Sequence, residues 1–259
     1  MKKWLSIIGI GEDGVAGLSP IALSCLDKAK IIFGGERHLS MLPADDNSEK
    51  IPWKSPFPTS IIEIISRRGE AVCILASGDP LCYGVGATIL KDIPISEITI
   101  IPAPSAFSLA CSRLGWSLTE VETLSLCGRP VSLLQSYIYP GAKLLILSEG
   151  KHTPAIVAEI LISRSYGNSQ ITVLEKVGNI NENIITDIAA NWQEENIASL
   201  NTIAVECVAD RGIVGLSRFP GLPDDAFHHD GQLTKREVRA VTLSLSLIHI
   251  SEPTRQAEI

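Results

Sequence analysis

Short runs of β-branched and apolar residues alternate with helix-like stretches along almost the whole chain, and this alternation restricts the fold more than any other feature. The runs at 4–9, 29–33, 70–76, 97–101, 123–127, 143–148, 170–175 and 202–208 read as strands bounded by turn residues. Strands interleaved with helices predict an α/β protein with mainly parallel sheets. Helix starts are legible too: Ser19-Pro20 and Thr153-Pro154 each place a capping hydroxyl before a proline, and Ser60 with Glu63 has capping-box spacing. Around 114–120, Gly115 and Trp116 follow a helix before a new strand begins at Thr123. The chain is therefore expected to divide into an N-terminal α/β domain over 1–117 and a C-terminal α/β domain over 118–210.

Charge and cysteine usage narrow the function. The 259 residues include 22 Lys plus Arg and 29 Asp plus Glu, a net charge of −7, with no basic run that would bind phosphate backbones. No apolar run reaches the ~18 residues of a membrane helix. Behind Lys2 and Lys3 the glycines from Gly9 to Gly14 break the pattern of a signal peptide. Six cysteines at 25, 73, 82, 111, 127 and 207 form no C-x-x-C pair and no zinc spacing, which reads as reduced thiols in a cytosolic protein without a metal site. No role is expected for His152, His228 or His229, and a lone His38 at a strand exit reads first as a capping or surface residue. A small-molecule enzyme is the class that remains.

Three strand exits stand out. Gly9-Ile-Gly11-Glu-Asp-Gly14 matches the G-x-G-x-x-G dinucleotide fingerprint, with Glu36 where a ribose-binding acid would sit, so a NAD-dependent oxidoreductase is one reading. Against it, the fingerprint needs its third glycine inside the helix, and Ser19-Pro20 starts the helix several residues later. Ser77-Gly78-Asp79-Pro80-Leu81-Cys82 ends a second strand; Asp79 there is either a ligand-facing carboxylate or turn chemistry. Pro102-Ala103-Pro104-Ser105-Ala106-Phe107 ends a third, and by itself reads as a helix start.

These segments, in this order, resemble the tetrapyrrole methylases that use S-adenosylmethionine, over residues 2 to about 208. Phe33-Gly34-Gly35-Glu36-Arg37-His38-Leu39 and Ser125-Leu126-Cys127-Gly128-Arg129 are similar to the branch that methylates carbon 5 of a precorrin in cobalamin biosynthesis. The resemblance implies two unequal αβα domains with a ligand cleft between them, an S-adenosyl-L-methionine cofactor, a tetrapyrrole substrate and a homodimer. It further implies that Gly11, Glu12, Gly78, Asp79, Cys82, Ser105 and Ala106 line the cofactor site, with Ser148 and Ala204 added from the second domain. The family pattern has Gly and Ser where this chain has Ala103 and Ala106, and His where it has Cys127. A methylase acting at another ring position is the alternative within the family.

Methyl transfer needs alignment more than a covalent nucleophile, and a proton leaves the ring afterwards; Asp79 is the candidate catalytic acceptor, beside Glu12. A polycarboxylate substrate on an acidic chain calls for local cations, and Arg129 and Arg113 are the candidates. The stretch from Gly221 to Ala240 resembles the opening of the decarboxylating, carbon-15 methyltransferase domain of fused enzymes, so 211–244 is expected to be a linker and the truncated start of that domain. Residues 245–259 look like a non-native tail, translated sequencing adaptor joined to a broken gene.

Overall fold

The computed structural model describes residues 3–246 apart from 195, 214, 216–220 and 228. His228 and all but the first two residues of the expected non-native tail lie outside the described residues. The chain forms two compact units, one of residues 1–114 together with Lys176–Glu182, the other of Gly115–Glu175 and the residues from Asn183 on.

The first unit contains β1 (Leu5–Ile10), α1 (Pro20–Asp27), β2 (Ile31–Gly34), α2 (Glu36–Leu39), β3 (Glu49–Pro52), α3 (Pro58–Ser66), β4 (Val72–Ser77), α4 (Val85–Ile89), β5 (Ile98–Ile101) and α5 (Ala106–Leu114). Its sheet has the order β3-β2-β4-β1-β5, and every pairing is parallel. Strand side chains alternate between two cores. Leu5, Ile7, Phe33 and Ile74 pack with Ile64 of α3 and Ile89 of α4, while Ile8, Ile10, Ile32 and Leu75 pack with Ala22 and Leu26 of α1. Burial on both faces is why these strands read as continuous apolar runs and not as alternating ones.

The second unit contains β6 (Glu122–Ser125), β7 (Lys143–Leu147), α6 (Thr153–Ser163), β8 (Gln170–Glu175), β9 (Asn183–Ile188), β10 (Asn201–Glu206) and α7 (Arg236–Ser246). Its order is β6-β7-β10-β8-β9. Here the expectation of a mainly parallel sheet needs correction, because only β6 and β7 run parallel and the other three pairings are antiparallel. Parallel pairs still predominate over the chain as a whole. One core cluster lies on the face covered by α6, where Val157, Ala158 and Leu161 meet Leu144, Ile146, Ile171, Val173, Ile203 and Val205.

The local signals fared unevenly. Ser19 caps α1, accepting from the Ala22 amide at 3.3 Å, with Pro20 in the first turn. Ser60 is no cap: α3 starts at Pro58, and the buried Ser60 hydroxyl accepts instead from the Lys54 amide at 2.8 Å. Thr153 is the first residue of α6 and not its cap, accepting from the Gly150 amide at 3.2 Å. The helix expected over 233–240 begins at Arg236 and runs on to Ser246, with Arg239 paired to Asp224 at 2.6 Å.

Candidate functional site

In a parallel sheet all carboxyl ends share one edge, and the loops leaving β1, β4 and β5 meet there. Gly9 is what lets them meet, since a Cβ on it would overlap the Gly78 carbonyl oxygen and come within 2.5 Å of the Ala103 amide. That amide donates to the Gly78 oxygen at 3.2 Å, so the second and third loops are joined backbone to backbone. Gly78 itself has φ +54°, a conformation that favours glycine.

Between the first and third loops opens a concave cavity of about 200 Å³. Gly9, Gly11, Glu12 and Asp13 form one wall, Ile101, Pro102, Ala103 and Pro104 another, with Leu18, Ser19, Ala22, Leu109 and Gly178 completing it. The lining is mainly apolar, with the acids Glu12 and Asp13 at one side. That combination suits a ligand with an aromatic body, hydroxyls and a cationic group. A dinucleotide fingerprint works differently: Gly14 sits in a 3-10 turn over Gly14–Gly17, before α1, and so cannot bring a helix N-terminus up to a pyrophosphate.

Of the residues singled out in the sequence, Gly11 and Glu12 line this cavity, and Gly78, Asp79, Cys82, Ser105 and Ala106 stand in the adjoining loops. The Asp79 carboxylate accepts from the Leu81 amide at 2.8 Å, the geometry of an Asx turn. Burial, followed by the Asp79 charge, raises the Cys82 pKa, opposed by a hydrogen bond with Ser105. Ser105 accepts from the Ser108 amide at 3.1 Å, closing the first turn of α5, in which Ala106 is the first residue.

The remaining candidates are placed differently. Arg113 donates from Nε and NH2 to both oxygens of Glu182, at 2.6 and 3.0 Å, so its fork is engaged within the first unit. Arg129 is exposed in the turn after β6, where Gly128 has φ +62°; the expected strand to 127 ends at Ser125. Ser148 follows β7 and bonds the Gly150 backbone at 2.8 and 3.2 Å. Ala204 is a buried mid-strand residue of β10, paired to Leu145 and Thr172.

Several contributors were not anticipated, among them Asp13, Gly17 and Gly178. Asp13 and Gly17 follow the glycines of the first loop, and proximity to Gly11 is the signal that would have found them. Gly178 comes from the distant segment Lys176–Glu182, whose Asn179 donates to the Glu12 carbonyl at 3.3 Å. No local pattern announces that return.

The sequence pattern of the tetrapyrrole (corrin/porphyrin) methylases matches residues 5–190. The chain belongs to this family. A Sinorhizobium protein named precorrin-6Y C(5,15)-methyltransferase (decarboxylating) is 45% identical over 244 residues, which is 94% of this chain and 59% of that protein. The chain thus spans about three-fifths of the length of that relative. A Salmonella typhimurium cobalt-precorrin-7 C(5)-methyltransferase is 30% identical over 180 residues, 70% of this chain and 88% of the relative. Among solved structures, the precorrin-6Y methylase of Archaeoglobus fulgidus superposes with a TM-score of 0.59 at 26% identity, covering 79% of this chain and 98% of that one. No helix among the described residues is long and apolar enough to cross a membrane. Nor does any group of three His, Cys, Asp or Glu side chains gather there as metal ligands would.

Proposed function

We propose that this chain transfers a methyl group from S-adenosylmethionine to carbon 5 of a precorrin, a step of cobalamin biosynthesis. The observation that carries the reading is the cavity between the β1 and β5 exits, built from the glycine and proline loops of a tetrapyrrole methylase. Relatives whose names state precorrin C5 methylation support the ring position. The cofactor supplies an electrophilic methyl on a sulfonium. Gly11 and Glu12 bind it from one wall of the cavity, and the Asp79–Cys82 and Ser105–Ala106 loops hold it beside that wall.

The protein's share of the chemistry is orientation along one line and exclusion of water, together several kcal/mol of the barrier. Asp79, its carboxylate steered by the Leu81 amide, is the group we assign to take the proton that leaves the methylated ring. Arg129 is assigned to a ring carboxylate. With its fork on Glu182, Arg113 would have to exchange that partner to do the same. The same reading makes the protein a cytosolic homodimer, and takes 211–244 as linker and first segment of a second methyltransferase domain.

Calorimetry of the chain with S-adenosylhomocysteine and, separately, with NAD tests this directly. Micromolar binding of S-adenosylhomocysteine, lost in Asp79→Ala, without heat from NAD, is the expected result. Binding of NAD alone would overturn it. Transfer of labelled methyl to a precorrin, located on the ring by NMR, then decides carbon 5 against any other position.

A further inference from the structure

Four polar side chains gather at the carboxyl ends of three neighbouring strands of the first sheet: Glu12 after β1, Arg37 and His38 after β2, and Ser77 at the end of β4. Arg37 pairs with the Glu12 carboxylate through NH1. Its NH2 group donates to Ser77 Oγ and to His38 Nε2, each at 3.0 Å. Ser77 Oγ lies 3.0 Å from the same His38 nitrogen. His38 is 8% exposed, whereas the Arg37 side chain keeps 41% of its surface in solvent.

The protonation state follows from the bonding. A nitrogen that accepts from a guanidinium carries no proton, so the imidazole is neutral with its hydrogen on Nδ1. Burial first, and the neighbouring Arg37 charge second, hold the ring pKa down at about 4. The charge acting on the ring is the Arg37 cation, which a protonated imidazole would repel. The cluster therefore presents one guanidinium, fixed from behind by an acid, a hydroxyl and a neutral imidazole, with its outer side open. Three of its five N–H hydrogens are engaged in these contacts, which leaves donors for a further oxygen. Its Glu12 partner is a wall of the cavity.

We propose that Arg37 receives a carboxylate of the methyl-accepting substrate, with His38 and Ser77 as positioning residues that hold the guanidinium ready. The inference rests on the proposed function, in which a polycarboxylate binds a chain of net charge −7 and must find a local cation. A fixed arginine loses less rotamer freedom on binding than a free one, which is the gain from the three supports behind it.

The test titrates the full chain, with S-adenosylhomocysteine present, against two corrins: cobyrinic acid, whose ring edge carries free carboxylates, and cobinamide, in which they are amides. Arg37→Ala should weaken cobyrinic acid about tenfold or more while leaving cobinamide within about twofold, with Arg37→Lys in between. His38→Gln, which keeps an acceptor, should stay within about threefold of wild type for cobyrinic acid, and His38→Ala should fall below it. S-adenosylhomocysteine should still bind every variant. Equal weakening of both corrins, an unchanged affinity for cobyrinic acid, or loss of S-adenosylhomocysteine from Arg37→Lys would overturn the assignment. If wild type binds cobyrinic acid but Arg37 is indifferent, only this inference falls. A wild type that binds neither S-adenosylhomocysteine nor either corrin removes the functional reading with it.

Discussion

The two sheets of this chain have five strands each and differ in what their edges can do. In the first, every pairing is parallel, so the exits of β1, β2, β4 and β5 all lie on one edge, and Glu12, Arg37, Ser77, Asp79 and Ser105 come together there. In the second, three of four pairings are antiparallel, so successive strand ends point opposite ways and polar exits are dispersed. Direction of pairing, and not the residues available, decides which sheet concentrates chemistry. The first sheet is also clamped between two cores, while the second rests on one cluster.

Substitutions at strand exits should separate the two sheets most strongly. Gly9→Ala places a methyl group on the Gly78 backbone, whereas a Cβ at Gly150, beyond β7, meets nothing within 4 Å. Urea unfolding is expected to show a loss of about 3 kcal/mol or more for Gly9→Ala and a change within about 0.5 kcal/mol for Gly150→Ala. Similar losses at both sites would break the comparison.

The next effect is one of pH, and it arises at an exit of the first sheet. His38 is held at about 4 in the folded chain against 6.5 for the ordinary group. The folded state therefore binds fewer protons than the unfolded chain between those values. Its stability is full above pH 6.5 and declines as pH falls towards 4, by on the order of 3 kcal/mol. Denaturation curves across that window should show the decline in wild type and a shallower one in His38→Gln.

Within the second sheet, the hydroxyls of Thr172 and Thr186 face each other at 3.0 Å across the β8–β9 pair. Thr172→Val should cost about 1 kcal/mol and speed hydrogen exchange along β9 more than along β6. The smallest change concerns the Arg113–Glu182 pair, in which the Arg113 side chain is exposed. Arg113→Ala is expected to remove only about 0.5 kcal/mol, and a double-mutant cycle with Glu182→Ala measures it.

What the sequence disclosed follows the same division. Strands buried on both faces, such as Leu5–Ile10 and Val72–Ser77, declare themselves as apolar runs. The edge strands Glu49–Pro52 and Asn183–Ile188 went unread because they bury little: of the first only Ile51 is buried, and the second mixes Asn, Thr and Asp with isoleucine. Edges carry such residues because a bare apolar edge invites pairing with other chains. The glycine and proline loops were visible because close backbone approach restricts residue type. Ser60 and Thr153 misled because a hydroxyl near a helix start can serve a neighbouring loop as well as the helix. The Glu12–Arg37–His38–Ser77 cluster was hidden, since its members are spread over four positions and only the tertiary fold makes a lone histidine part of a group.

The segment Lys176–Glu182 makes the first unit discontinuous along the chain. During synthesis, residues 1–114 leave the ribosome well before the Gly178 that finishes the cavity wall and the Glu182 that engages Arg113. The Gly115–Glu175 part of the second unit is made in that interval. The first unit to be translated is thus completed only after β6, β7, α6 and β8 of the second have emerged, and a nascent chain halted before residue 176 would carry its cavity open on one side.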